Sequence, residues 1–139
     1  MFSPWSLCLR GYFWLKGITM LKTLVDLFWE IDARQRRPDL FWDRSGAKFQ
    51  PISTDSFRKR TLQLAGTFLE WGIKKGDRIA LLSENRVEWT ITDFAILSAA
   101  AVTVPLYATS TPEQIAHIIQ DSQPKAVIVS LPETMTALG

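Results

Sequence analysis

Glu84 and Glu88 stand four residues apart, a spacing that would set two carboxylates on one side of a helix, where a pair can divide acid and base work. Glu84 falls before the helix that the pattern starts near Val87, so the pair is better read as negative charge favouring a helix N-terminus. The hydroxyls of Thr109-Ser110-Thr111 precede another helix and could cradle an anion together with free amides. No glycine lets the backbone close around a phosphate there, and helix capping is the weightier reading. His117 is the single histidine, and its helix turns Ile115, Ile118 and Ile119 inward, which leaves the imidazole toward solvent without a metal partner in sequence. Asn85 and Arg86 follow directly from the carboxyl end of a buried strand, where open α/β sheets place their ligands. They are the candidate ligand-side loop, with Asn85 as a plain helix cap the competing reading. No catalytic, cofactor-binding or metal-ligating residue is assigned.

The elements that must position this loop are legible from periodicity. Leu24, Leu27, Phe28 and Ile31 recur at helical spacing between Asp26, Glu30, Asp32 and Arg34, which predicts an amphipathic helix from Thr23 to Gln35, closed by Pro38. Leu40 to Trp42 and Lys48 to Ile52 flank Asp43-Arg44-Ser45-Gly46, a turn-forming cluster, and read as a hairpin. Ser53, Thr54 and Asp55 offer capping oxygens to a second helix with Phe57, Leu64, Ala65 and Phe68 inward and Gly72 as its left-handed stop. Arg78 to Ser83 is apolar without alternation at Ile79-Ala80-Leu81-Leu82, as in a strand covered on both faces. A deep helix from Val87 to Ala101, a second buried strand from Val102 to Leu106, a helix opened by Thr111-Pro112-Glu113 and a third buried strand from Ala126 to Val129 follow. Strand, helix, strand, helix, strand predicts an α/β fold: a partial, mostly parallel sheet flanked by helices, with a short N-terminal β-hairpin. Leu131-Pro132-Glu133 reads as the start of a further helix, and a three-stranded sheet stopping at Gly139 reads as a break in a larger sheet.

Composition excludes several classes of function. A chain of 139 residues with 47% hydrophobic and 22% charged residues is globular rather than disordered. Its formal charge of +2 comes from Arg10 and Lys16, since residues 20–139 hold fourteen basic against fourteen acidic side chains. Nucleic-acid binders concentrate basic charge, and the one cluster, Arg58-Lys59-Arg60, sits on a solvated helix face, so no nucleic acid is expected. Cys8, the single cysteine, excludes an intrachain disulfide and suits a reducing, cytoplasmic compartment. Residues 1–19 carry Trp5, Tyr12, Phe13 and Trp14 but no cleavage site, and fall short of a membrane span. They read as an extension before a start at Met20, or as an interfacial anchor making peripheral membrane contact. Residues 20–139 form the domain.

The stretch from Gly72 to Trp89, Gly-Ile-Lys-Lys-Gly-Asp-Arg-Ile-Ala-Leu-Leu-Ser-Glu-Asn-Arg-Val-Glu-Trp, resembles the opening of the adenylate-forming superfamily, in particular bacterial long-chain fatty acyl-CoA synthetases. The run from Asp93 through Val104-Pro105-Leu106-Tyr107 to Ile115 resembles the second core segment of the same subfamily, and the resemblance covers about residues 22 to 130. One departure is Ala99-Ala100-Ala101, which stands where the family commonly has a glycine and puts the local helix packing in question.

The resemblance implies an incomplete N-terminal subdomain of the adenylate-forming fold, truncated within its AMP-binding domain. It implies a ligase that joins ATP and a fatty acid into an acyl-adenylate, from which the thiol of CoA displaces AMP. Such enzymes use ATP, Mg²⁺ and CoA. Their phosphate loop is a Thr/Ser/Gly-rich segment followed by Pro-Lys-Gly, and the seven glycines of this chain nowhere form it. A fragment inactive by itself is therefore expected, with no cofactor of its own. The alternative is a noncatalytic α/β binding module that completes its sheet with a partner chain.

Overall fold

The computed structural model describes residues 23–45 and 48–130. The extension at 1–19, the hairpin residue Gly46 and the helix expected at Leu131 lie outside the described residues. The chain divides into two units, residues 1–35 and 36–139. In the first, α1 (Leu24–Arg34) is capped reciprocally: the Thr23 hydroxyl accepts from the Asp26 amide and the Thr23 amide donates to the Asp26 carboxylate, both at 3.1 Å. The Glu30 and Arg34 side chains pair one turn apart. Among the described residues no helix is long and apolar enough to cross a membrane.

The second unit opens with an antiparallel hairpin, β1 (Phe41–Ser45) and β2 (Lys48–Ile52). Ser45 pairs with Lys48, so the expected turn at residues 43–46 is corrected: Asp43, Arg44 and Ser45 belong to the strand. Turn-forming residue types are tolerated within a strand once cross-strand pairing holds them. Helix α2 (Thr54–Glu70) starts where the Ser53 hydroxyl accepts from the Ser56 amide. It ends in a Schellman arrangement, with Ile73 N–H on the Phe68 carbonyl, Gly72 N–H on the Leu69 carbonyl, and Gly72 at φ +76°. Phe57, fully buried, joins Phe41 of the hairpin at 5.2 Å between ring centroids and Phe94 at 6.0 Å.

A parallel sheet of β3 (Arg78–Leu82), β4 (Val102–Leu106) and β5 (Ala126–Val129) follows, in the order β4-β3-β5. Between the strands lie α3 (Val87–Ser98) and α4 (Pro112–Ser122). Ile79 packs with Ala65 and Phe68 of α2 and Ala95 and Ile96 of α3. Ala80 and Leu82 pack with Leu106 and with Ile115 of α4. Adjacent residues of a strand face opposite ways, so α2 and α3 cover one face of the sheet and α4 the other. All four residues Ile79 to Leu82 are at most 1% exposed, and each large one contributes about 1.5–3 kcal/mol by leaving water. Among the described strands only this central one is covered on both faces. The expectation that β4 and β5 are buried strands is corrected: both are edge strands in the described sheet, with Val102 47% and Val127 40% exposed.

Helix α3 stops at Ser98 rather than Ala101. The Ala101 amide reaches back to the Ile96 carbonyl and the Ala100 amide to the Leu97 carbonyl, which requires a left-handed residue at position 100. Ala100 takes that conformation at φ +57°, strained for a residue with a Cβ. The departure at Ala99-Ala100-Ala101 thus falls on the helix stop, where glycine fits without that cost. Helix α4 has the expected cap: Thr111 and Gln114 exchange side-chain and backbone hydrogen bonds, with Pro112 in the first turn. At the amino end of the sheet, Lys125 Nζ donates to the Asp77 carboxylate at 2.9 Å and to the Gly72 carbonyl. That contact and the Lys74 amide hold the Asp77 pKa below its ordinary value.

Candidate functional site

The strand order creates a switch point. The chain leaves β3 for β4 on one side by way of α3, then returns by way of α4 to place β5 on the other side. The two crossovers run over opposite faces, which puts the switch point between β3 and β5, and doubly wound sheets form their ligand crevice at the carboxyl end of such a point. Asn85 and Arg86 lie in the loop after β3, and Ser130 follows β5.

The two residues singled out in sequence are exposed and line different clefts. Arg86 lines a cleft of about 260 Å³ between the ends of β3 and β5, together with Glu88, Thr92, Ile128 and Ser130. Asn85 lines a more apolar cleft of about 430 Å³ beside Pro105, Leu106 and Tyr107. Ser83 and Trp89 border both. Asn85 does not cap α3: the capping position is Arg86, in extended conformation and without a side-chain capping bond.

The charges at this crevice are spent on one another. Glu88 accepts from Arg60 of α2 at 3.0 Å and from Arg86 at 2.8 Å. Burial raises the Glu88 carboxyl pKa, but the hydrogen bonds from Arg60 and Arg86 outweigh it and bring the value down from the ordinary 4.5 to about 2. The same contact raises Arg86, with smaller help from Glu84 and Asp43. Glu84 accepts from the Ser130 hydroxyl at 2.7 Å, and that bond lowers its pKa. Glu84 and Glu88 thus serve different partners, Ser130 for the one and the two arginines for the other. The sequence reading missed Arg60, Trp89 and Ser130 as members of the site. Ser130 follows the end of a strand as Asn85 does, and the same rule applied to β5 would have found it.

These residues do not fit the cofactors that the resemblance implies. Among the described residues no group of three His, Cys, Asp or Glu side chains could hold a metal ion. Gly72 and Gly76 take left-handed conformations, but they lie in a helix stop and a turn before the amino end of β3, away from the crevice. Anion binding at Arg86 would have to displace the carboxylate that already neutralises it. Of Thr109-Ser110-Thr111, Thr111 caps α4, and His117 is exposed on the same helix.

The doubly wound layer with its crevice defines a parallel α/β scaffold. Residues 29–138 match the AMP-binding enzyme family, and the chain belongs to that family. Long-chain-fatty-acid–CoA ligase FadD15 of Mycobacterium bovis is 52% identical over 52 residues, 37% of this chain and 9% of that protein. The fatty acid AMP ligase from Legionella pneumophila superposes with a TM-score of 0.74 at 18% identity, over 87% of this chain and 22% of that one. The N-terminal subdomain of Klebsiella oxytoca NpsA superposes with a TM-score of 0.69 at 23% identity, over 82% of this chain and 28% of that one. The expected fold is thus found: this is the N-terminal part of the adenylate-forming architecture, and the match spans a small share of each relative's length.

Proposed function

We propose that this chain supplies the opening α/β layer of an ATP-dependent long-chain fatty acid–CoA ligase. The reaction of the whole protein joins a fatty acid carboxylate to the α-phosphate of ATP with loss of pyrophosphate; the thiol of CoA then attacks the acyl carbon and AMP leaves. The observation that carries this reading is the family match across residues 29–138, joined to 52% identity with a relative named for that activity. Fatty acid, ATP and CoA are the substrates of the whole, which works in the cytoplasm.

In this reading the chain holds none of the reacting groups. Its own residues shape the switch-point crevice, with the Asn85 and Arg86 loop on the ligand side and the Arg60, Glu88 and Arg86 contacts fixing that loop to α2. The purified chain is expected to give no fatty-acid-dependent exchange of pyrophosphate into ATP. Exchange above the background of a mock preparation overturns the assignment of chemistry to residues outside this chain.

The exposed edges at β4 and β5 favour one second reading, a noncatalytic module whose sheet is completed by another chain. A purified chain that runs as a stable monomer or defined dimer supports that reading, and aggregation supports the first.

A further inference from the structure

The β1–β2 hairpin turns its two faces to different surroundings. Side chains alternate across a strand, and the register pairs Trp42 with Pro51 and Arg44 with Phe49, which sets these four on one face. Phe41, Asp43, Gln50 and Ile52 share the other. That second face is anchored by the ring of Phe41 on Phe57. The first is open to solvent: Trp42 is 58% and Phe49 65% exposed, and Arg44 and Pro51 are exposed as well. A single exposed apolar residue needs no explanation, but two large rings flanking an arginine on one paired ribbon make a patch.

Charge selects the occupant. The charged pair Asp43 and Lys48 falls on the packed side of the register, so the charge on the open face of the described hairpin is that of Arg44. An apolar protein surface would strip water from the guanidinium without compensating it. A layer of anionic headgroups over hydrocarbon takes both kinds of group at once, with aromatic rings at the headgroup level and the guanidinium against phosphate.

We propose that the Trp42, Arg44 and Phe49 face of the hairpin contacts an anionic phospholipid surface. The placement rests on the hairpin alone and is independent of the reaction assigned above. It also differs from an anchor in residues 1–19, and the two are separable by substitution.

The test is flotation of the full chain with vesicles of phosphatidylglycerol and phosphatidylcholine, against phosphatidylcholine alone. The chain is expected to float with the anionic vesicles. W42S/F49S and R44E are each expected to lower the bound fraction by about fivefold, and W5S/W14S by less than about twofold, all with unchanged circular dichroism. Binding that survives both hairpin variants, or that ignores anionic lipid, overturns the proposal. Capture of poly-glutamate in place of vesicles overturns it in favour of an acidic protein partner. A nitroxide on F49C in a C8S background gives a second readout: protection from an aqueous relaxation agent when anionic vesicles are added supports the contact, and unchanged accessibility refutes it.

Discussion

The Ser130 hydroxyl donates to the Glu84 carboxylate at 2.7 Å and so ties the loop after β3 to the end of β5. The hydrogen bond favours the ionised carboxylate, so Ser130→Ala is expected to raise the Glu84 pKa toward its ordinary 4.5. Carboxyl-carbon NMR titration measures this directly, and an unmoved Glu84 resonance would remove Ser130 as the cause. Both groups are solvent-accessible, so little change in stability should accompany the shift.

Glu88 makes stability depend on acid. Its pKa is depressed in the fold, so between 4.5 and about 2 the unfolded chain binds the extra proton. The stabilisation is complete above 4.5 and is lost as pH falls through about 2. With Glu88 and Arg60 side chains 37% and 40% exposed, solvent screening limits the pair to about 1 kcal/mol. Urea unfolding from pH 7 to pH 2 should show a flatter acid limb in Glu88→Gln than in the parent chain. Parallel acid limbs would assign the dependence elsewhere.

Ala100→Gly should stabilise the fold. Relief of the left-handed strain is worth about 1–2 kcal/mol, and the greater freedom of glycine in the unfolded chain returns about 0.5–1 of it. A net gain of about 0.5–1 kcal/mol is expected by thermal or urea unfolding. Gly72→Ala, at φ +76° with open space around the added carbon, should lose a similar amount from strain alone. A loss of stability in Ala100→Gly would show that the helix stop is not strained.

Thr61 is fully buried on α2, and its hydroxyl has no hydrogen-bond partner among the described residues. A buried hydroxyl without a partner costs about 1–3 kcal/mol. Thr61→Val keeps the shape and the β-branch, so a gain of about 1 kcal/mol is expected in urea unfolding. A loss would mean that the hydroxyl is satisfied in solution.

What was legible in the sequence depended on how local the cause is. Ile79-Ala80-Leu81-Leu82 announces a strand buried on both faces because four apolar residues in a row leave no polar side. The caps at Ser53 and Thr111 are read from residues within one turn of each other. The end of α3 was hidden because three alanines favour helix by propensity and give no sign that Ala100 turns left-handed. Strand order was hidden for a different reason: a β-strand's sequence records that it is covered, not by which neighbour. Without the order, the edge positions of β4 and β5 and the switch point between β3 and β5 could not be read.

The candidate site divides in the same way. Asn85 and Arg86 were singled out because they directly follow a recognisable strand. Arg60 lies 28 residues from Glu88, and Ser130 lies 46 from Glu84. Partners that distant meet only once the layer is assembled; nothing in the immediate sequence marks Arg60, and Ser130 is marked only by the strand it follows.

The central position of β3 has a consequence for biosynthesis. It is the first of its three strands to leave the ribosome, yet its flanking strands and the helix over its second face all come later in the chain. From its emergence until β5 arrives, the most water-averse segment of this sheet has an open flank. During that interval a nascent-chain chaperone has its clearest target, and slowing translation near residues 83–126 should lengthen the exposure.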